Sequence, residues 1–486
     1  VTEFKRTQEM HQYYRDSLIK TYFFEEIGKI PKETLTALID SNSCDPIQCA
    51  ETLIPLQSGL PATRDLALKQ MVLLIAQSHL SMDKHRNGLQ TPLPAAYKKS
   101  IRDGLMRVLQ KVPSVKYLIN AIQILYRIGE IDEAMALVRK NEKVVDSSPN
   151  LQQIVAMVYT MEERYEEALP YLLKLVDSGA HQSNSLIKLM SMTCMYKLGA
   201  LPDEPADFAT LAHKPAESAD EFPYEWIIEP GATCRRKPTL VIACDDKYFH
   251  EHALTLLYSV VEHNDADLLI HFHLYTPADN VIEHVKALAA QYPAMEISAT
   301  RENINLESPT KVVEFATRRF AASQALLRHL DSPIILLDAD ALWRKPWQAT
   351  LGELAQNHDV IVCQPKAAPF WEHVAAGLVY LNNTPAARRY IAQVVAFIDD
   401  NLNKGKSLWF LDQIALSACH QEAVKHQWNV RFASTTPDLL MDVNHGENAL
   451  TWVVTNQKNA PGPYADYKLE LLNRYRQSVD SRPEQE

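Results

Sequence analysis

From residue 239 onward, short apolar runs alternate with stretches of helical period, and this constrains the fold most. TLVIACDD (239–246), LLIHFHLYT (268–276), PIILLDAD (333–340), HDVIVCQP (358–365) and AAGLVYLNN (375–383) read as strands. HEHALTLLYSVVEHN (250–264) and NVIEHVKALAAQY (280–292) carry helical spacing. Strands that alternate with helices predict a mostly parallel sheet covered by helices. Such sheets bind ligands outside the carboxyl ends of their strands. Asp245, Asp246, Asp338 and Asp340 all fall at such ends.

The first 202 residues differ in texture and read as helix after helix. LYRIGEIDEA (125–134) is echoed by TMEERYEEAL (160–169) and again by MYKLGALPDE (195–204). A small residue that recurs about every 34 positions resembles tetratricopeptide repeats, in which helix pairs stack through small side chains at their crossings. The expected organisation is therefore α + α/β. Residues 1–112 form a helical N-terminal region and 113–202 TPR-like helical repeats. A Pro-rich linker spans 203–238, an α/β domain 239–470, and a polar C-terminal tail 471–486.

Composition narrows the function classes. A net charge of −11 lacks the basic balance of a nucleic-acid binder. The longest apolar runs, such as Met71–Ala76, hold about half a dozen residues where a membrane span needs about 20. No apolar leader opens the chain, and its seven cysteines include no CxxC, so the expectation is a reduced, cytoplasmic protein without a transmembrane segment. Only 13 glycines are present, under half the usual ~7%. Neither G-x-G-x-x-G nor a P-loop occurs, so a nucleotide would be held by other means.

The second copy of Asp-Ala-Asp, at 265–267, follows polar residues and reads as a solvated turn. The copy at 338–340 instead ends an apolar strand. Two carboxylates at a buried strand end repel each other and lose hydration, and a cation held by hard oxygen ligands relieves both costs. A divalent ion with an open side then suits a diphosphate.

With these stretches in view, residues 239–470 resemble a GT-A-fold glycosyltransferase of the family-8 type, which includes glycogenin and bacterial lipopolysaccharide galactosyltransferases. Four segments carry the resemblance in order: ACDDKYFHEHALTLLYSV, TRRFAASQALLRHLDSPIILLDADALW, AAGLVYLNN and WFLDQIAL. The resemblance implies that Asp245 or Asp246 accepts from a uracil ring on which Tyr248 stacks. Asp338 and Asp340 would hold Mn²⁺ or Mg²⁺ against the diphosphate. Arg319 would lie near the phosphates or brace the first aspartate, with Arg318 as its adjacent alternative. Ala376 and Gly377 would leave room for the sugar, and Asp412 and Gln413 would face it. The family's third metal ligand, a histidine near the C-terminus, is missing; Asn456 could replace it, with Asn444 or His445 as alternatives, and Lys458 could meet the phosphate.

The implied function is a metal-dependent, retaining transfer from a UDP-sugar to an acceptor. A protein or peptide held by the helical repeats is the favoured acceptor, such as a bacterial surface protein. A lipopolysaccharide or other saccharide acceptor is the alternative, and repeats used to recruit a partner or form a homodimer go with it. A non-catalytic scaffold is the competing class. Capping and packing offer plainer roles for the same residues: Asp245 or Asp246 as an N-cap before HEHALTL, Tyr248 in the core, and the histidines of HEH and HFH as structural.

Overall fold

The computed structural model describes residues 22–39, 45–53, 60–86, 94–179, 184–198, 222–231, 237–263, 268–365, 368–403, 409–454 and 461–480. The chain divides into two compact units, one built from residues 1–198 and the other from 199–365 with 370–486. No described helix is long and apolar enough to cross a membrane.

The first unit is helical throughout its described residues. Helices Ala62–Arg86 and Ala95–Lys111 precede a repeated pair of helices. Helix Val115–Arg127 opens on Ser114, whose hydroxyl accepts from the Tyr117 amide. Helix Pro149–Met161 opens on Ser148, which accepts from the Leu151 amide in the same way. The two caps stand 34 residues apart, and each satisfies an orphan N–H of the first turn. Each helix closes through a left-handed residue, Gly129 and Glu163 respectively. The second helices, Ile131–Lys140 and Tyr165–Asp177, bury Ala134 and Ala168 completely. The sequence period is thus a repeat of caps, turns and buried small residues. The third echo runs into helix Ser185–Leu198 and then leaves the described residues.

The second unit is built on an eight-stranded sheet. Its strands are β1 (Glu225–Ile228), β2 (Thr239–Cys244), β3 (Leu269–Tyr275), β4 (Ser298–Glu302), β5 (Ile334–Leu337), β7 (Val360–Cys363), β8 (Ala375–Leu381) and β9 (Phe432–Thr435). Their order is β1-β4-β3-β2-β5-β8-β7-β9. β2, β3, β4 and β5 are mutually parallel, while β8 runs antiparallel to both β5 and β7. Two-residue strands β6 (Leu342–Trp343), β10 (Met441–Asp442) and β11 (Thr451–Trp452) form a small second sheet in the order β10-β11-β6. β3 and β5 are buried along their whole length, so both faces of the sheet are covered, as a parallel sheet requires. The expected α + α/β class, helical first and mixed mostly parallel sheet second, is the observed one.

Two boundaries differ from the sequence reading. β1 lies inside the stretch 203–238 assigned to a linker and pairs antiparallel with β4. Proline and charge around it mask a four-residue edge strand, which is too short for a pattern to emerge. The tail assigned to 471–486 begins inside helix Pro463–Asp480, whose Leu471 is fully buried. The Asp-Ala-Asp at 265–267 lies outside the described residues.

Candidate active site

Asp338, Ala339 and Asp340 form the turn that leaves β5. The Asp338 amide donates to the Gly377 carbonyl of β8 at 2.9 Å, and the Ala341 amide closes the turn on the Asp338 carbonyl at 3.1 Å. From the C-terminal helix, the Tyr464 hydroxyl donates to the Asp340 carbonyl at 2.6 Å. The sheet and the last helix therefore fix the backbone that carries both carboxylates. Asp340 is 9% exposed, whereas the Asp338 side chain keeps 39% of its surface accessible.

Arg319 is the hub of the site. Helix Lys311–His329 packs on β5 and β2, and its face at Arg319 points beneath the turn. One guanidinium nitrogen of Arg319 donates to Asp338 Oδ1. The other reaches the Ala376 carbonyl at 3.1 Å and Asp412 Oδ2 at 3.2 Å. Its Nε donates to the Ala316 carbonyl at 2.8 Å, which completes a buried and fully directed fork. The neighbouring Arg318 turns away and pairs with Glu302 at 2.6 Å and Glu314 at 3.7 Å. Of the two arginines, Arg319 is the one that bonds Asp338.

Asp412 comes from the first turn of helix Leu411–Lys425, entered through Phe410 at φ 72°. That left-handed conformation is costly for a non-glycine residue, and it swings Asp412 inward. Its Oδ1 accepts from the Gln413 amide at 2.9 Å, so both carboxylate oxygens are engaged. Burial lifts the Asp412 carboxyl above the usual range; Arg319 pulls it down, and the Asp338 charge pushes it further up. Arg319 is held further above its ordinary range, because the two aspartates outweigh its desolvation. Gln413 is half-buried beside it.

Asp245 takes the N-cap position and accepts from the Tyr248 amide at 2.9 Å. Asp246 accepts from the Ala278 amide at 3.1 Å. Both lie beyond the end of β2, which is registered Ile242 to Leu337 against β5, so they share the strand edge with Asp338. Tyr248 is partly buried against the sheet core, with its ring 4.9 Å from that of His252. Lys468 of the C-terminal helix reaches His252 Nδ1 at 3.1 Å.

Asn456 and Lys458 lie outside the described residues. Of the alternative third ligands, His445 sits at φ 59° and bonds the Val453 carbonyl through Nε2 at 3.2 Å. Its ring lies between those of Trp452 and Tyr464. The Asn444 amide donates to Asp442, which also holds the Gly446 amide. Among the described residues no group of three or more His, Cys, Asp or Glu side chains could hold a metal ion.

Sequence reasoning missed Tyr464, Lys468 and Met441. Each acts across a long separation, 124 residues in the case of Tyr464 and Asp340, and no local pattern marks any of them. In HFH, the fully buried His271 bonds Ser298 and Thr300, and the fully buried His273 bonds Thr300 and the part-buried Glu302.

No protein-family model matches the chain, and no curated protein sequence matches it. Solved structures do. Glycosyltransferases are among them. GlyE of Streptococcus pneumoniae TIGR4 is 15% identical with a TM-score of 0.33, over 52% of this chain and 66% of that one. The galactosyltransferase LgtC, solved with donor and acceptor sugar analogs, is 13% identical with a TM-score of 0.36, over 51% and 98%. Mouse xyloside xylosyltransferase 1 is 12% identical with a TM-score of 0.31, over 46% and 100%.

Proposed function

We propose that the second unit is a metal-dependent glycosyltransferase that uses a UDP-sugar and retains anomeric configuration. One observation carries the reading. Asp338 and Asp412 meet at the carboxyl edge of a parallel sheet on a single buried arginine that bonds both, and Asp340 follows Asp338 in the same turn. Such edges are where these folds bind ligands.

The donor set fits a divalent cation. Asp338 and Asp340 offer hard oxygen ligands two residues apart, Arg319 orients the first of them, and Asp338 stays accessible. The remaining positions would be filled by the donor's phosphates, water or Asn456. When bound, the cation would neutralise the charge that develops on the departing UDP. Asp245 and Tyr248 would receive the uracil, and Lys458 or the nearby Lys468 the phosphates. Ala376 and Gly377 would floor the sugar, beside Asp412 and Gln413.

In the transfer, the bond from the anomeric carbon to the β-phosphate oxygen breaks and one to the acceptor hydroxyl oxygen forms. The hydroxyl proton passes to the departing diphosphate. A same-face route is favoured over a covalent intermediate. Both Asp412 oxygens already accept hydrogen bonds, and the Gln413 carboxamide is a poor nucleophile. Asp412 then acts by holding Arg319, and through it Asp338, in place.

The acceptor proposed is a protein or peptide, because stacked helix pairs such as those repeated at 115–177 suit extended chains. The test is turnover of a UDP-sugar panel by the full chain with Mn²⁺ and with EDTA. Release of UDP that needs the metal supports the reading. Absence of release from every donor would favour the scaffold alternative.

A further inference from the structure

The floor between Asp338 and Asp412 is the Ala376–Gly377 stretch of β8: Arg319 bonds the Ala376 carbonyl, and the Asp338 amide bonds that of Gly377. Gly377 does not adopt a positive φ, so its backbone does not demand glycine. Space does. A β-carbon on Gly377 would lie 2.0 Å from the Met441 methyl and 2.8 Å from Asp338 Oδ2. Met441 thus lies against the bare backbone of Gly377, and its sulfur would stand 3.3 Å from that same β-carbon. It is a half-buried apolar side chain that packs against the apolar core of the unit.

Its attachment is firm while its side chain is adaptable. Met441 begins the two-residue β10, paired parallel with β11 at Thr451. The next residue, Asp442, ties the following loop through the Asn444 and Gly446 amides at 2.8 Å and 2.7 Å. The backbone is therefore fixed on both sides. A methionine has three rotatable bonds and no branching, so the thioether can leave its space without moving that backbone.

We propose that Met441 is the specificity-determining residue of the donor site: it fills the space between Gly377 and Asp338, and the donor's sugar must displace it. The inference rests on the nucleotide-sugar reading above. A diphosphate held at Asp338 and Asp340 carries its sugar one ester bond away, and Met441 occupies the space over Gly377 beside the first of those carboxylates. A bare nucleoside diphosphate has no group to place there. Met441 therefore selects on the sugar and leaves the nucleotide alone, and it disfavours the bulkier rings.

The test is calorimetric titration, with Mn²⁺, of UDP, UDP-xylose and UDP-glucose into the full chain as wild type, Met441→Ala and Met441→Leu. Met441→Ala is expected to tighten UDP-glucose relative to UDP by about tenfold, and UDP-xylose by less. Met441→Leu keeps the volume and should keep the ratio. A ratio that changes by less than about twofold in Met441→Ala, with UDP still binding, overturns the role of Met441 and leaves the nucleotide-sugar reading standing. Failure of every chain to bind UDP and both UDP-sugars overturns both. A second readout does not depend on the alanine variant's fold. The ¹³C ε-methyl signal of Met441, assigned by its loss in Met441→Leu, should shift with UDP-glucose and stay with UDP. An unmoved signal at saturating UDP-glucose would equally overturn the proposal.

Discussion

Two regions of one sheet handle buried polarity in opposite ways. Along β3 and β4, His271, His273, Ser298, Thr300 and Glu302 form one hydrogen-bonded row that ends on Arg318. With His273 donating to Glu302, each hydroxyl donates to one ring and Thr300 also accepts from the other, so every member has a partner without surplus charge. At the ends of β5 and β8, by contrast, one buried arginine bonds two aspartates at once. The carboxylates record the difference. Burial pushes Glu302 up, yet the His273 hydrogen bond and the Arg318 charge outweigh it and leave it below its ordinary value. Asp412 ends above its own. The row is closed by neutral hydrogen bonds, whereas the cluster shares one guanidinium between two carboxylates. Neutral satisfied networks hold a fold, and buried charges held in a fixed frame mark where a ligand acts.

The largest expected effect comes from removing the cluster's one cation. Arg319→Leu leaves Asp412 buried without its partner and should destabilise the sheet unit by about 3–5 kcal/mol. All seven tryptophans lie at position 226 or beyond, so urea unfolding followed by tryptophan fluorescence reads this unit. A loss below about 1 kcal/mol would mean that Asp412 finds another partner or protonates without cost. Next, Asp340→Asn should lower metal-dependent donor turnover by about 100-fold or more while the unfolding midpoint holds. An unchanged rate would move the metal elsewhere.

The comparison sharpens with paired neutral variants. Glu302→Gln breaks the closed row and should cost about 1–3 kcal/mol. Asp412→Asn keeps an oxygen for Arg319 but turns its NH2 toward the Gln413 N–H, and should cost about 1 kcal/mol or less at pH 7. If both variants destabilised equally, the contrast between the regions would fail. The smallest effect is in pH. Glu302 has a depressed folded pKa, so its contribution is present above the ordinary carboxylate value and is lost as pH falls through the folded one. Asp412 has a raised folded pKa, so its contribution is greatest below the unfolded value and is lost as pH rises through the folded one. Stability between pH 3 and 7 should therefore be less steep in wild type than in Asp412→Asn. A steeper wild-type slope would contradict the sign given to Asp412.

The contrast also explains what could be read beforehand. The alternation after residue 239 exposed β2, β3, β5, β7 and β8, because fully apolar strands between helical periods leave few other folds. The antiparallel sense of β8 could not be read, since AAGLVYL is apolar on both faces either way. β1 was hidden by brevity and β10 by its position in PDLLMDV, where nothing signals a strand. The paired aspartates of the turn were visible because they end an apolar strand, whereas Arg319 and Asp412 were reached only through the family resemblance. Tyr464 and Met441 were not visible, because a single hydroxyl or thioether that arrives from a distant element leaves no local pattern.

The central claim is that Asp338 and Asp340 hold a cation for a nucleoside diphosphate, with Arg319 and Asp412 fixing the first of them. It is tested most directly by calorimetric titration of UDP into the full chain, once with Mn²⁺ and once with EDTA. Binding that appears with Mn²⁺ and vanishes with EDTA is the predicted result. Binding that ignores EDTA, or no binding in either condition, would contradict it.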